Sequence, residues 1–232
     1  RLVNLDRNVF GACLVAFDHA DGMVTGVTRN YATALSDVLK VIDAARGEMP
    51  MGMSIVLSKG RTLFISDTAA SEFPDAAELA RITLQSAAMA KQFGATPRVA
   101  LLSHSNFGNP EMERSEKIRA AVSMLDRRED LAFEYEGEMN IDVALNPNMR
   151  ELYPFSRLSE AANVLIIPAL HSASIATTLL ATAGGATVIG PILAGLAKPI
   201  QIAPLGAAVS DIVTYATLAA FQAAERNDAK GA

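Results

Sequence analysis

Residues 97–108 read PRVALLSHSNFG, an apolar run that stops at a segment of Ser, His, Asn and Gly. The apolar run predicts a strand over 97–103 and the polar segment predicts a loop. Ligands of open α/β sheets bind beyond the carboxyl ends of strands. The hydroxyls of Ser103 and Ser105, the Asn106 amide and backbone N–H groups near Gly108 would suit a phosphate or a carboxylate. A plain solvated loop explains the same residues equally well.

The rest of the chain alternates between short apolar runs and helical periodicity. Other strands are predicted at 23–27, 53–57, 62–66, 133–136, 163–167, 186–189 and 200–203. Helices are predicted at 7–19, 31–45, 74–93, 113–125, 140–150 (interrupted at Pro147), 172–183 and 209–225. This alternation predicts an α/β fold with a mainly parallel sheet, and the polar turn 58–61 predicts a hairpin.

No Asp, Glu, Lys or Arg occurs between Glu160 and Lys198. Gly, Pro and hydroxyl residues divide this stretch into pieces shorter than the roughly 20 apolar residues of a membrane span. A helix at 172–183 without a charged face should be buried all round. We expect a second subunit to cover its outer face; burial under the chain's own last helix is the alternative.

Composition excludes several classes of protein. A net charge of -5, 6% aromatic residues and the absence of a basic run argue against nucleic-acid binding. One cysteine, Cys13, excludes a disulfide framework and a thiolate metal cluster, and the cytosol is the expected compartment. His19 and His171 lack acidic residues at ligand spacing, so no metal site is predicted. Because residue 1 is Arg, not Met, we expect a fragment of a longer polypeptide.

Two cations are candidates for anion binding. Arg29 follows the glycines at 22 and 26, where it could grip an anion, cap a helix or pair with an acidic neighbour. Lys198 follows the charge-free stretch and could likewise face an anionic ligand.

Five blocks of sequence, in order, resemble the phosphate acetyl/butyryl transferase family. They are ADGMVTGVTRNY (20–31), RVALLSHSNFG (98–108), EGEM (136–139), ANVLIIP (162–168) and IGPILAGLAKP (189–199). The segments TRNY, SHSNFG and GEM are most similar to the C-terminal transferase-like domain of large bacterial NADP-dependent malic enzymes.

The resemblance implies two α/β subdomains with mainly parallel sheets and a cleft between them, as in isocitrate and isopropylmalate dehydrogenases. It places the first subdomain at 1–96, with a return at about 205–232, and a dimer-forming second subdomain at 97–204. It also implies that acetyl-CoA lies near Arg29, Ser103, Ser105, Asn106, Lys198 and Asp211. No catalytic residue, cofactor or metal is expected here, since NADP and a divalent metal would bind the malic enzyme module outside this chain.

One departure from the family bears on activity. Active members carry Ser-Arg-Gly where this chain has Pro204, Leu205 and Gly206, although Asp211 persists. Losing the cation removes the electrostatic stabilisation that acyl transfer to phosphate needs. The sequence therefore favours an acetyl-CoA-sensing, dimer-forming regulatory domain over an active phosphate acyltransferase or a purely structural dimerisation module.

Overall fold

A computed structural model describes residues 3, 5–111 and 113–231, without the side chains of 114 and 227–231. The helices are α1 Arg7–Ala16, α2 Tyr31–Leu39, α3 Ala76–Gln92, α4 Glu113–Asp126, α5 Ile141–Leu145, α6 Pro147–Arg150, α7 Leu170–Thr182 and α8 Val209–Gly231. The strands are β1 Met23–Gly26, β2 Met51–Ser58, β3 Arg61–Ser66, β4 Arg98–Leu102, β5 Glu134–Met139, β6 Val164–Ile166, β7 Thr187–Ala194 and β8 Ile200–Ala203. The predicted α/β alternation is confirmed.

The chain forms two compact units. One unit combines Arg1–Gly52 with Pro191–Ala232, and the other is continuous over Met53–Gly190. The first unit is thus built from both ends of the chain, but the boundaries differ from those predicted after residues 96 and 204. The reason is strand pairing: β3 pairs in parallel with β6, which places the β2–β3 hairpin in the same sheet as β4.

The six-stranded sheet has the order β5-β4-β6-β3-β2-β7. Neighbours β5, β4, β6 and β3 are parallel, whereas β2 and β3 form an antiparallel hairpin. The hairpin turns at Lys59 and Gly60, whose φ angles of 50° and 74° are those of a tight two-residue turn. Val56, Ile65, Leu165 and Met139, all from strands of this sheet, belong to one buried core.

Strands β4 and β6 are neighbours in the sheet, but the chain continues from them to opposite edges of the sheet. After β4 the chain passes through α4 to β5 at one edge, and after β6 it passes through α7 to β7 at the other. Such a reversal of strand order opens a crevice at the carboxyl ends of the two strands.

In the first unit, β1 and β8 pair in parallel, and α1, α2 and α8 pack against them. Gly26, with a φ of 112°, lies so close to the Ala203 carbonyl that any β-carbon there would overlap it. Helix α2 ends at Leu39 instead of continuing to 45, because Ala44 leaves to form a bridge with Leu196.

Helix α7 buries Ala173 and Thr177, whereas Ile175 and Leu179 are 65% and 61% exposed. The outer face of this helix is therefore not covered within the chain itself, and its burial against a second subunit stays a prediction. None of the helices in the described ranges has the length and apolar content that a bilayer crossing requires.

Candidate functional site

A cavity of about 670 Å³ lies within the second unit, at the carboxyl ends of β4 and β6. Apolar side chains form most of its wall: Phe73, Leu102, Ile118, Ile141, Ile167 and Ala176. Polar side chains also face it: Ser103, His104, Ser115, Lys117, Asn140 and His171. An apolar cleft of this size with a few convergent polar groups is typical of a small-molecule site.

A chain of three hydroxyls runs from the cavity wall into the protein. The Oγ atoms of Ser103 and Ser115 are 2.6 Å apart, and those of Ser115 and Ser105 are 2.8 Å apart. Ser105 donates a hydrogen bond to Oε1 of Glu138. Ser103 and Ser115 line the cavity, whereas Ser105 and Glu138 are fully buried.

The buried carboxylate of Glu138 is held by a cation and a backbone amide. Nη1 of Arg119, on α4, lies 3.2 and 3.1 Å from its two oxygens, and the Gly108 N–H donates to Oε1 at 3.3 Å. The preceding Gly137 permits close strand packing, since a β-carbon there would be 2.8 Å from Cβ of Leu101. The carboxylate of Glu138, on β5, thereby joins this strand to α4 and to the loop after β4.

Asn106 shapes the loop after β4. Its Oδ1 accepts a 2.7 Å hydrogen bond from the Asn140 backbone N–H, and Nδ2 of Asn140 donates to the His104 carbonyl at 3.3 Å. Asn140, not Asn106, lines the cavity. Asn106 therefore connects this loop to the end of β5.

Lys117 brings a positive charge to the cavity that sequence reasoning missed. Its ammonium donates to the carbonyls of Pro74 and Pro168, at 3.1 and 3.2 Å. Lys117 thus holds the segments that follow β3 and β6 at the cavity wall.

Arg29, in the first unit, has acidic partners. Its Nη1 donates to Asp6 and to Asp37, with an N–O distance of 2.9 Å to Asp37. Hydrogen bonding to Arg29 lowers the pKa of Asp6, and the hydrogen bond from Lys40 lowers the pKa of Asp37. Of the open alternatives for Arg29, pairing with acidic neighbours is the one present.

The other two predicted residues of the first unit also have partners. Lys198 pairs with Asp18 at the edge of a cavity of about 420 Å³, which Arg46 and Arg226 also line. A carboxylate oxygen of Asp211 accepts the Ala208 N–H at 2.9 Å and so caps α8. The neighbouring Leu205 is 69% exposed.

The structure therefore brings Ser103 and Ser105 into one hydrogen-bond network, with Asn106 in the same loop. The other three predicted site residues, Arg29, Lys198 and Asp211, each have separate partners. Glu138, Ser115 and Arg119 complete the network, yet no local signal distinguishes them. They lie on different elements, and Glu138 follows the charged residues Glu134 and Glu136 of the same strand. Within the described residues, no group of three or more His, Cys, Asp or Glu is placed to hold a metal ion.

Known proteins resemble this chain along almost all of its length. The family described as phosphate acetyl/butaryl transferase matches residues 1–220. The NADP-dependent malic enzyme of Rhizobium meliloti (strain 1021) is 54% identical over 96% of this chain, which spans only 29% of that protein. The phosphate acetyltransferase of Bacillus subtilis (strain 168) is 32% identical over 94% of this chain and 68% of its own length.

Solved structures with a similar fold come from the same kind of protein. A phosphotransacetylase from Streptococcus pyogenes superposes with a TM-score of 0.87 at 32% identity, over 94% of this chain and 67% of that one. Sequence and structure agree on one family, which confirms the resemblance carried by the five sequence blocks. The chain belongs to the phosphate acetyl/butaryl transferase family.

Proposed function

We propose that this chain is the C-terminal, transferase-like domain of an NADP-dependent malic enzyme, that it senses acetyl-CoA, and that it lacks transferase activity. The observation that carries the proposal is the 54% identity to a malic enzyme of which the chain spans 29%. The remaining part of such a protein would hold NADP and a divalent metal and convert malate to pyruvate and CO₂.

Two features of the first unit support the loss of transferase activity. Pro204 and Leu205 occupy the positions where the resemblance implies Ser and Arg, so the turn before Gly206 has no cation. The guanidinium of Arg29 already lies against two carboxylates, which reduces its attraction for phosphate. Neither the turn before Gly206 nor Arg29 therefore offers a phosphate ion the unpaired positive charge that its stabilisation requires.

We propose that acetyl-CoA contacts Ser103 directly, since Ser103 lies in the cavity wall. Ser105 and Asn106 would act through the loop that they hold, because Ser105 is fully buried. Arg29 and Lys198 remain proposed contacts for the charged end of the ligand, and Asp211 remains a proposed contact away from its phosphates. For the cations this requires acetyl-CoA phosphates to compete with Asp6 and Asp18.

We also propose that the domain forms a homodimer through α7 and acts in the cytoplasm. Ile175 and Leu179 give α7 an exposed apolar face, which burial against a second copy would remove from water.

An active phosphate acyltransferase is the second candidate, favoured by the likeness to the Bacillus subtilis phosphate acetyltransferase. Two measurements on the purified chain separate the candidates. Calorimetry should detect acetyl-CoA binding, and an assay of acetyl phosphate formation from acetyl-CoA and phosphate should detect no turnover. Robust turnover would overturn the regulatory proposal, and absence of acetyl-CoA binding would leave only a structural role.

A further inference from the structure

The cavity of about 420 Å³ in the first unit lies at the amino ends of β1 and β8. Asp21 and Lys198, which line it, come just before these two strands begin. The turn at Gly206 and Asp211 instead follow the carboxyl end of β8. The cavity is therefore at the opposite end of the strand from the turn where active family members carry Ser and Arg.

Backbone hydrogen bonds fix one wall of this cavity. Ala44 forms a bridge with Leu196, in the segment before β8. The Glu48 N–H donates to the Ala45 carbonyl at 2.9 Å and closes a tight turn. Arg46 and Glu48, which line the cavity, are therefore carried by a backbone of fixed position.

Positive and negative side chains are balanced around the cavity. The charged residues that line it are Asp18, Asp21, Arg46, Glu48, Lys198 and Arg226. Lys198 and Asp18 neutralise each other as an ion pair, whereas the other four form no ion pair within the described part of the chain. Two carboxylates would repel a polyanion, but a ligand that carries one charge of each sign complements both kinds of side chain.

Arg226 is partly buried, and most of its N–H groups are unused. It donates to the Leu196 carbonyl, and no other described residue accepts a hydrogen bond from it. Burial lowers the pKa of Arg226, and the charge of Glu48 opposes this by a smaller effect. A guanidinium presents a planar fork of donors that binds a carboxylate bidentately, so a carboxylate ligand would offset the cost of this burial.

The rest of the cavity wall is apolar and consists of small side chains. They are Ala45, Ala197, Pro199 and Ala223. These side chains leave room for a short aliphatic group and offer no hydrogen bond to a polar one.

We infer that this cavity binds an amino acid with an aliphatic side chain. Its carboxylate lies against the guanidinium of Arg226, its ammonium group against Glu48 and Asp21, and its side chain against the apolar wall. The inference does not rest on the proposed acetyl-CoA site, in which these three residues take no part.

The test compares three probes by ligand-observed NMR titration of the 232-residue chain. They are L-leucine, 4-methylpentanoate, which is leucine without its amine, and 3-methylbutylamine, which is leucine without its carboxylate. The parent should bind leucine roughly tenfold or more tightly than either analogue, because each charged group adds a charge-assisted hydrogen bond. Leucine that binds no more tightly than one of the analogues would overturn the inference.

Two variants assign the two ends of the ligand. Arg226→Gln should weaken leucine binding roughly tenfold or more while the affinity for 3-methylbutylamine stays that of the parent. Glu48→Gln, at an exposed position, should bring the affinity for leucine towards that for 4-methylpentanoate. Arg81→Gln, at an exposed position of α3, is the control and should bind leucine as the parent does. Circular dichroism checks the folding of each variant, and the Glu48 variant tests the site even if Arg226→Gln does not fold.

Acetyl-CoA titrations separate this site from the proposed function. Arg226→Gln should bind acetyl-CoA as the parent does, and a loss of that binding would assign the cavity to acetyl-CoA and overturn the inference. If the parent binds acetyl-CoA but not leucine, or if folded Arg226→Gln binds leucine unchanged, the inference is overturned while the proposed function stands. If the parent binds leucine but not acetyl-CoA, the proposed function is overturned and the inference stands.

Discussion

Glu138 is a buried charge whose oxygens are held by partners from the loop after β4 and from α4. Arg119 supplies the opposite charge, and because its side chain is only 34% exposed the pair is partly shielded from water. Removing one partner of a buried pair leaves the other without compensation, which is more costly than losing a surface contact.

We therefore expect Arg119→Met to destabilise the chain by about 2 kcal/mol, the cost of leaving a buried group unsatisfied. Urea denaturation followed by circular dichroism would measure the change. Arg128→Met is the matched control, since its partner Asp130 is 66% exposed and the pair should contribute nothing measurable. Equal stability of the two variants would show that Arg119 does not hold Glu138.

The carboxylate of Asp6 contributes a pH-dependent part of stability. Its pKa is below the ordinary 3.8, chiefly because Arg29 donates to it. A lowered pKa stabilises the folded state above pH 3.8, and the stabilisation is lost as the pH falls through the lowered value. Removing Arg29 should weaken this dependence, and the N–H groups of Asn8 and Val9, which also donate to Asp6, would account for what remains.

At pH 7, Arg29→Met should have a lower melting temperature than the parent, and the difference should narrow below pH 3.8 as Asp6 is protonated. Melting curves across this range test the prediction. Lys59→Met, which removes an exposed cation at the hairpin turn, should show no such narrowing. A difference that stays constant with pH would contradict the role of Asp6.

At the scale of elements, local signals predicted most helices and strands. Asp75 and Glu78 form a capping box at the start of α3, where Pro74 and Asp75 predict a helix, and β8 covers the predicted residues 200–203. Helix 31–45 was predicted too long, because Ile42 continues the apolar stripe although Ala44 pairs with Leu196. Periodicity describes which residues are buried, but not which distant segment buries them.

In the candidate site, too, local signals predicted some residues and missed those that distant segments bring in. The loop after β4 was predicted because a polar run directly follows a strand. Glu138 and Arg119 were missed because each lies inside an element. The parallel pairing of β4 with β5 brings Glu138 to that loop, and α4 carries Arg119 to Glu138. The partners of Arg29 and Lys198 likewise come from other parts of the chain.

The exposed face of α7 predicts the consequence of a charge there. If Leu179 is buried between two copies of the chain, Leu179→Glu would place an unpaired charge in that interface at a cost of several kcal/mol. Light scattering should then report a monomer, while circular dichroism remains that of the parent, since Leu179 is exposed within its own chain. Ser123→Glu, on the exposed side of α4, is the control, and an unchanged mass for Leu179→Glu would remove α7 from the interface.

The turn before α8 has a related test. Pro204→Ser with Leu205→Arg restores the side chains of active family members, yet Arg29 remains paired with its carboxylates. We expect at most trace formation of acetyl phosphate by the double variant and none by the parent. Full activity in the double variant beside an inactive parent would show that these two positions alone decide transferase activity.

At the scale of the whole molecule, the two units differ in how the chain builds them. The first unit needs both ends of the chain, so neither end can complete it alone. The second is continuous, and every buried member of its main core lies between Val56 and Ala186. Its sheet and core are therefore encoded in one uninterrupted segment, which also contains the cavity and α7.

Residues 51–194, which keep β2 and β7 complete, should consequently fold without the rest of the chain. We expect cooperative urea unfolding and, because α7 is included, the same oligomeric state as the full chain in light scattering. Leu179→Glu within this segment is the matched control and should yield a folded monomer. A segment that folds but stays monomeric while the full chain is a dimer would show that the first unit supplies the interface. A segment that fails to fold would show that the sheet depends on contacts outside its own unit.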